Sequence, residues 1–382
     1  MNRMLEKVLS KLITLFFVIV TVFFLSSPTF ACSRVTYLGS DGVVITGRSM
    51  DWMQDMQSNL WAFPRGMKRN GAAGVKSISW VSKYGSVVVS AYEAGTADGM
   101  NEKGLVANLL YLDESNYGKP SGNKPLLSIA AWAQYALDNY ATVAEVVDAL
   151  SKEPFQIIAP TLPNGSPAQL HLSVSDSSCD SAIFEYIDGN LVVHHGKQYQ
   201  VMTNSPKFQD QLALNSYWQD IGGTTFLPGT IRAADRFVRA SFFNTVIPKA
   251  LDPNFIKGVP DGSYLNQAIA SVTGVIRSVS VPLGITSPKE PNLASTLWRT
   301  IADQKNKVYY FDSATSPNIF WIDLADINFK EGTPVKKLTI AGGKIYSGNT
   351  AEKFAPAQAF AFLPAIYISK LKIDKQSTAS PL

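Results

Sequence analysis

The amino-acid sequence predicts an α+β fold in one large domain, and three observations lead there. Blocks of short strand-like runs are interleaved with pairs of helical runs, a pattern that packs as layers of sheet and helix. Apolar residues make up 46% of the 382 and charged residues 17%, enough apolar surface for a large core and too little charge for a disordered chain. No Pro/Gly-rich linker splits the chain, and neither internal repeats nor low-complexity tracts appear.

Each element follows from local pattern. Residues 35–38 and 43–46 read as short strands on either side of a Ser40-Asp41-Gly42 turn, and 78–81, 87–91 and 106–112 read as strands too. Residues 126–137 place apolar side chains on a wide helical face. Thr142 and Glu145 form a capping box ahead of a helix running towards Leu150. Strands return at 169–175, 182–187 and 190–194, the last pair joined by an Asp188-Gly189 hairpin turn. Helices are expected near 209–218, 233–243 and 265–276, then strands at 297–301, 307–311 and 319–323. Residues 118–125 read as a loop and 373–382 as a loose tail.

The N-terminus has its own logic. Arg3, Lys7 and Lys11 precede fourteen uncharged, mostly apolar residues (12–25), then Ser-Ser-Pro and Thr29-Phe30-Ala31 directly before Cys32. A basic start, a short apolar run and a small residue at the exit make a secretory signal, since a membrane span needs about twenty residues. The expected organisation is a signal peptide over 1–31, one domain over 32–370 and a tail over 371–382. The processed chain would be exported, periplasmic or secreted, and not inserted in the membrane. It would carry 31 basic against 29 acidic residues, scattered rather than clustered, which argues against nucleic acid as a partner. With two cysteines and three histidines, none at ligand spacing, no metal and no cofactor are expected. His171, His194, His195 and Cys179 read as structural, the Asp113-Glu114 pair as solvated, and 118–122 lacks the phosphate-loop pattern.

Cleavage after Ala31 would leave Cys32 at the N-terminus, where three readings compete. A lipid anchor normally wants leucine three residues before the cysteine and a small residue two before; here those are Thr29 and Phe30. A Cys32–Cys179 disulfide is the one pairing two cysteines allow in an oxidising compartment. An N-terminal nucleophile is the third. A free α-amine ionises near pH 7.7–8.0 and a thiol near about 8.5, so the amine can take the thiol proton without a histidine. Such a nucleophile needs a carboxylate to hold the amine and gains from a fixed positive charge that favours thiolate. Arg48 and Asp51, sixteen and nineteen residues on, can be folded back by a hairpin; the plainer reading is a surface pair at a strand end.

Cys32 followed by Gly47-Arg48-Ser49-Met50-Asp51-Trp52 resembles the choloylglycine hydrolase family, which includes bile salt hydrolases and penicillin V acylases. Three further motifs keep the family's order. They are Ala97-Asp98-Gly99-Met100-Asn101-Glu102-Lys103-Gly104-Leu105, Met202-Thr203-Asn204-Ser205-Pro206-Lys207-Phe208, and Leu227-Pro228-Gly229 with Asp235-Arg236-Phe237. The resemblance implies the four-layer αββα sandwich of N-terminal nucleophile hydrolases, a homotetramer, and hydrolysis of a small-molecule amide. It implies that Cys32 attacks the carbonyl, that Arg48 lies beside the sulfur, that Asp51 accepts from the α-amine, that Asn204 donates to the oxyanion, and that Arg236 completes the charged cluster. Seven residues after Gly104 stands Tyr111, whose backbone would contribute to the oxyanion hole. The resemblance gives asparagine there to bile salt hydrolases and tyrosine to penicillin V acylases, so an aromatic or fatty acyl group is favoured over a hydroxylated sterol. Met50, Trp52 and Met53 could line that apolar pocket or simply pack in the core. The favoured activity is penicillin V acylase-like; N-acyl homoserine lactone deacylation is the close alternative, bile salt hydrolysis the third, and a lipid-anchored binding protein the non-enzymatic one.

Overall fold

The hairpin that follows Cys32 sets the frame. In a computed structural model, which describes residues 32–365 except 123, 164, 166 and 286–293, strand Ser33–Leu38 pairs antiparallel with strand Val44–Trp52. Asp41 and Gly42 take the turn between them with φ of 55° and 68°. The expected signal segment 1–31 and tail 371–382 lie outside the described residues.

The second strand is longer than residues 43–46. It continues through the polar Gly47–Trp52 stretch with all nine residues buried, because Ser33–Leu38 pairs with one edge and Ser295–Asp303 with the other. Pairing on both sides, not hydrophobicity, holds this segment extended. Gly47 is demanded by packing: a Cβ there would lie 2.7 Å from Cγ1 of Ile276.

Around the hairpin grows a seven-stranded sheet in the order Val201–Met202, Ser33–Leu38, Val44–Trp52, Ser295–Asp303, Val308–Ser313, Ile319–Asp323, Gly348–Asn349. A nine-stranded sheet runs Asn190–His195, Ser181–Ile187, Leu170–Ser175, Val106–Tyr111, Gly95–Asn101, Ser86–Ala91, Leu60–Phe63, Lys336–Leu338, Ala355–Pro356. The two lie face to face. Arg34 of the first donates to the Val174 carbonyl of the second at 3.4 Å, and the Thr300 hydroxyl donates to Asp98 at 3.2 Å. Val87, Val89, Met100, Val106 and Leu110 meet Trp298, Tyr309 and Phe311 in one buried cluster.

Helices Trp132–Asn139 (α1) and Val143–Leu150 (α2) cover the outer face of the nine-stranded sheet, burying Trp132, Leu137, Val143 and Val146 with Leu109, Leu172 and Phe184. Helix Phe208–Ile221 (α3) packs on helix Ala233–Val246 (α4), and α4 lies with helix Tyr264–Ser278 (α5) on the outer face of the seven-stranded sheet. The layers therefore read helix, sheet, sheet, helix, the expected αββα sandwich.

Two elements depart from local pattern. Residues 126–137 are not one helix: Leu126–Ser128 pairs with Gln156–Ile158 as a short parallel ladder, and α1 begins only at Trp132. Gly95–Asn101 is a fully buried central strand despite its sequence GTADGMN, again because strands pair with both its edges. The capping box also differs in detail. Glu145 N–H donates to Thr142 Oγ1 at 3.2 Å, but the Glu145 carboxylate accepts from Ala141 N–H, one residue before the cap.

Candidate active site

One strand supplies two faces. Successive side chains of a strand point in opposite directions, so Arg48, Met50 and Trp52 share one side of Val44–Trp52 while Ser49 and Asp51 share the other. The first side faces the gap between the sheets, where Arg48 Nη2 donates to the Leu109 carbonyl of the opposite sheet at 3.0 Å. The second side faces α4, where Arg236 Nη1 lies 3.9 Å from Asp51 Oδ2.

Cys32 stands at the head of the neighbouring strand and reaches both environments. Its Sγ lies 3.7 Å from the Asp51 carbonyl oxygen, 3.9 Å from Met50 Sδ and 4.0 Å from Arg48 Nη2. The residue is 2% exposed. Burial pushes the thiol up, the Arg48 charge opposes that rise, and the Asp51 charge adds to it. Arg48 is fully buried and stacks with its guanidinium carbon 4.6 Å from the Trp298 ring centre.

The backbone of Cys32 is held separately. Its N–H donates to Asn204 Oδ1, and its carbonyl accepts from Arg236 Nη1 at 2.6 Å. Arg236 further donates to Ser33 Oγ at 2.6 Å, to Asn204 Oδ1 at 2.9 Å and, through Nε, to the Ile231 carbonyl at 2.9 Å. Two donors on Oδ1 fix which way the Asn204 amide points, and its Nδ2 donates to the Tyr111 carbonyl at 2.7 Å. Asp51 is bonded elsewhere, to the Thr296 hydroxyl at 2.5 Å and the Ser49 hydroxyl at 3.4 Å. The described partner of the Cys32 nitrogen is thus Asn204 rather than Asp51. In this chain that nitrogen is an amide joined to Ala31, with a single N–H to give. Burial raises the Asp51 carboxyl to about 6, with Arg236 the strongest influence pulling it back.

An apolar cavity opens beside the sulfur, lined by Cys32, Arg48, Met50, Trp52, Tyr92 and Tyr111 together with Leu162, Leu170 and Leu363. The Trp52 and Tyr111 rings stand 6.1 Å apart at 58°. Met53 is not part of this wall. The strand ends at Trp52, the chain turns away, and Met53 borders a wider groove of about 700 Å³ on the far side of Trp52. Sequence reading missed Thr296, which bonds Asp51, and Tyr92, whose hydroxyl accepts from Trp52 Nε1 at 2.6 Å. Both lie far along the chain from their partners, and no local pattern marks them.

Cys179 sits half-buried in a loop with φ of 71°, and both cysteines are free, so no disulfide joins it to Cys32. Among the described residues no cluster of three or more His, Cys, Asp or Glu side chains could hold a metal ion.

Two stacked sheets between helix layers, with a cysteine heading an inner strand, are the architecture of the N-terminal nucleophile hydrolases. Comparison with known proteins narrows this. The model of the choloylglycine hydrolase family of linear amide C–N hydrolases matches residues 32–337, and the chain belongs to that family. It is therefore a hydrolase acting on linear amides. It is 51% identical over 354 residues to a penicillin V acylase of Pectobacterium atrosepticum, covering 88% of this chain and 93% of that protein. The structure of a penicillin V acylase from Agrobacterium tumefaciens is 54% identical, with a TM-score of 0.78 over 87% of this chain and all (100%) of that one. A single-residue variant of a conjugated bile acid hydrolase from Clostridium perfringens shares the fold at 22% identity, with a TM-score of 0.66 over 82% of this chain and 99% of its own.

Proposed function

We propose that this chain is exported, cleaved before Cys32, and hydrolyses amides of penicillin V type with Cys32 as an N-terminal nucleophile. One observation carries the reading: nitrogen, carbonyl and sulfur of Cys32 each have a separate polar neighbour, Asn204, Arg236 and Arg48. Cleavage turns the Cys32 amide nitrogen into an amine where it already lies. That amine takes the thiol proton, and the thiolate, with Arg48 beside it, attacks the amide carbon. The second N–H of the Asn204 amide, with the Tyr111 backbone, stabilises the oxyanion, where one such donor is worth about 3–4 kcal/mol. The C–N bond then breaks and the leaving amine takes the proton from the α-ammonium. Water attacks the resulting thioester with the amine again as base, the acid departs, and the thiol is restored. Asp51, bonded to Thr296 and Ser49, supplies negative charge for the ammonium form.

The acyl group enters the apolar cavity against Tyr111 and Trp52, which suits phenoxyacetyl. Leu162, Leu170 and Leu363 extend the wall, which favours long-chain N-acyl homoserine lactones as the second substrate. Bile salts rank third because Tyr111 fills the position that the resemblance gives to asparagine.

The test starts with the intact mass of chain recovered from an exporting host. The expected species begins at Cys32 with a free amine; an acylated Cys32 would turn the reading to a lipid-anchored binding protein. Initial rates of amine release from penicillin V, a long-chain acyl homoserine lactone and glycocholate follow, with glycocholate expected slowest. A preference for glycocholate would sink the assignment built on Tyr111.

A further inference from the structure

The chemistry proposed above leaves unused a buried titratable pair that reaches the segment carrying Asn204. His171 and Glu185 lie on adjacent strands of the nine-stranded sheet, 0% and 1% exposed. His171 Nδ1 is 3.0 Å from Glu185 Oε1, and its Nε2 is 2.9 Å from the Thr203 carbonyl oxygen. The Thr203 carbonyl is an acceptor, and so is Glu185 as the carboxylate that takes the Phe208 N–H on both its oxygens. A neutral imidazole has one N–H and can donate to only one of them; donating to both takes a ring that holds two protons. Glu185 supplies the opposite charge, and burial of an ion pair demands that kind of close, fully bonded geometry. Among the described residues, the other titratable group facing the pair is His194, whose Nε2 lies 3.8 Å from Glu185 Oε2 and which burial disfavours as a cation.

What this pair grips is the segment that carries Asn204. The Thr203 carbonyl is bonded by His171, and both Glu185 oxygens accept the N–H of Phe208, the first residue of α3, at 3.1 Å. Between these anchors Gln211 of α3 donates to the carbonyls of Asn204 and Pro206, and its own Oε1 accepts from the Thr203 hydroxyl at 2.9 Å. Residues 203–208 are thus held from the nine-stranded sheet at both ends, at the Thr203 carbonyl by His171 and at the first N–H of α3 by Glu185. We propose that His171 and Glu185 form an ion-paired clamp that positions Asn204 for oxyanion stabilisation, without touching substrate. The inference rests on the role given to Asn204 above. It concerns positioning residues, and a displacement of an oxyanion donor by about 1 Å can slow a reaction on the order of 10²-fold.

The experiment is a cycle of His171→Leu, His171→Gln, Asn204→Ala and the His171→Leu/Asn204→Ala double variant. Amine release from penicillin V and alkylation of Cys32 by iodoacetamide are measured for each. His171→Leu is expected to lower kcat about 10²-fold with KM nearly unchanged and the alkylation rate lowered far less, because Arg48 stays beside the sulfur although Asn204 also holds the Cys32 nitrogen. His171→Gln, whose Nε2 can still reach the Thr203 carbonyl, is expected to recover most of kcat. In the Asn204→Ala background the His171 effect should vanish. Additive losses, or alkylation falling in step with kcat, overturn the clamp. Asn204→Ala with full activity overturns the oxyanion role and the clamp together, whereas a slow Asn204→Ala beside a fast His171→Leu overturns the clamp alone. Should His171→Leu not fold, ¹⁵N spectra of the unaltered chain decide: with three histidines to assign, His171 is expected to show two N–H groups, and a single one overturns the ion pair.

Discussion

Two buried arginines flank Cys32, and they are built differently. Arg236 is almost fully bonded: Nε, Nη1 and Nη2 all donate, giving four of five N–H groups to Ile231, Cys32, Ser33 and Asn204, with Asp51 at 3.9 Å. Arg48 is under-satisfied: Nη2 donates to Leu109, while Nε and Nη1 have no hydrogen-bond partner among the described residues. A guanidinium with nearly all its donors engaged serves as a rigid fork that fixes distances. One with spare donors keeps more of its field for its surroundings, which include the Cys32 sulfur at 4.0 Å and the buried Asp98 carboxyl. The contrast teaches that charge near a nucleophile can have two separate uses, geometry and electrostatics, and that the bonding pattern tells them apart.

The difference can be broken experimentally, beginning with stability. Arg236→Met should destabilise the fold by about 3–5 kcal/mol, because Asp51 is left as a buried charge without its cation; chemical denaturation reads this directly. A loss below about 1 kcal/mol would mean that Arg236 is not the clamp its bonds suggest.

Next comes the pH dependence that these cations modulate. With its carboxyl raised to about 6, Asp51 stays protonated in the folded chain between about pH 4 and 6, where an unfolded aspartate is already ionised. The folded state binds the extra proton in that window. Stability from this group is therefore present in full below about pH 4 and is lost as pH rises through 6, by at most on the order of 3 kcal/mol. Denaturation of Asp51→Asn across the same range should lack that slope. Activity runs the opposite way, since the ionised carboxylate is the form proposed to hold the ammonium, and kcat/KM should fall below about pH 6.

Arg48→Met sharpens the other half of the comparison. The fold should lose stability here too, because Arg48 is the strongest charge opposing the burial of Asp98 and its bond to the Leu109 carbonyl is lost. Alkylation of Cys32 should slow about tenfold at neutral pH, the equivalent of one unit in thiol ionisation. An unchanged alkylation rate would remove the electrostatic role. Tyr111→Phe is the smallest step. It deletes the hydroxyl that donates to Gln169 Oε1 at 3.2 Å and should cost about 1 kcal/mol, leaving the substrate order intact. A reversal of that order would place specificity in the hydroxyl instead of the ring.

How much of this was legible depended on sequence distance. The hairpin, the Asp188-Gly189 turn, the capping box and helices α2 to α5 are local features, and local pattern located them within a few residues. Gly95–Asn101 was invisible as a strand because glycine, alanine, aspartate and asparagine are poor strand formers. Its stability comes from partners such as Tyr309 and Thr300, whose hydroxyls bond Asp98. In the site, Arg48 and Asp51 could be read because they sit on the strand next to Cys32. Asn204, Tyr111 and Arg236 could be placed only through resemblance. Thr296, 245 residues from the carboxylate it bonds, and His171, which reaches Asn204 through the Thr203 carbonyl, could not be read at all. Met53 took the second of its two readings: the strand ends at Trp52, and Met53 packs against the core and borders the wider groove.

The strand Val44–Trp52 has one more consequence, for how the chain tolerates lengthening and shortening. It delivers Arg48 to the gap between the sheets and Asp51 to the α4 side, and a side chain's face is set by counting residues in twos. Deleting one residue between Gly47 and Asp51 would exchange the two faces downstream of the cut, sending a carboxylate towards the apolar cavity while composition stays almost the same. A residue added in the exposed Ser40–Gly42 turn leaves that count untouched. Indel scanning across residues 39–52 should therefore show permissive and intolerant zones with a sharp boundary between them, a reading-frame rule enforced by pleat geometry instead of codons.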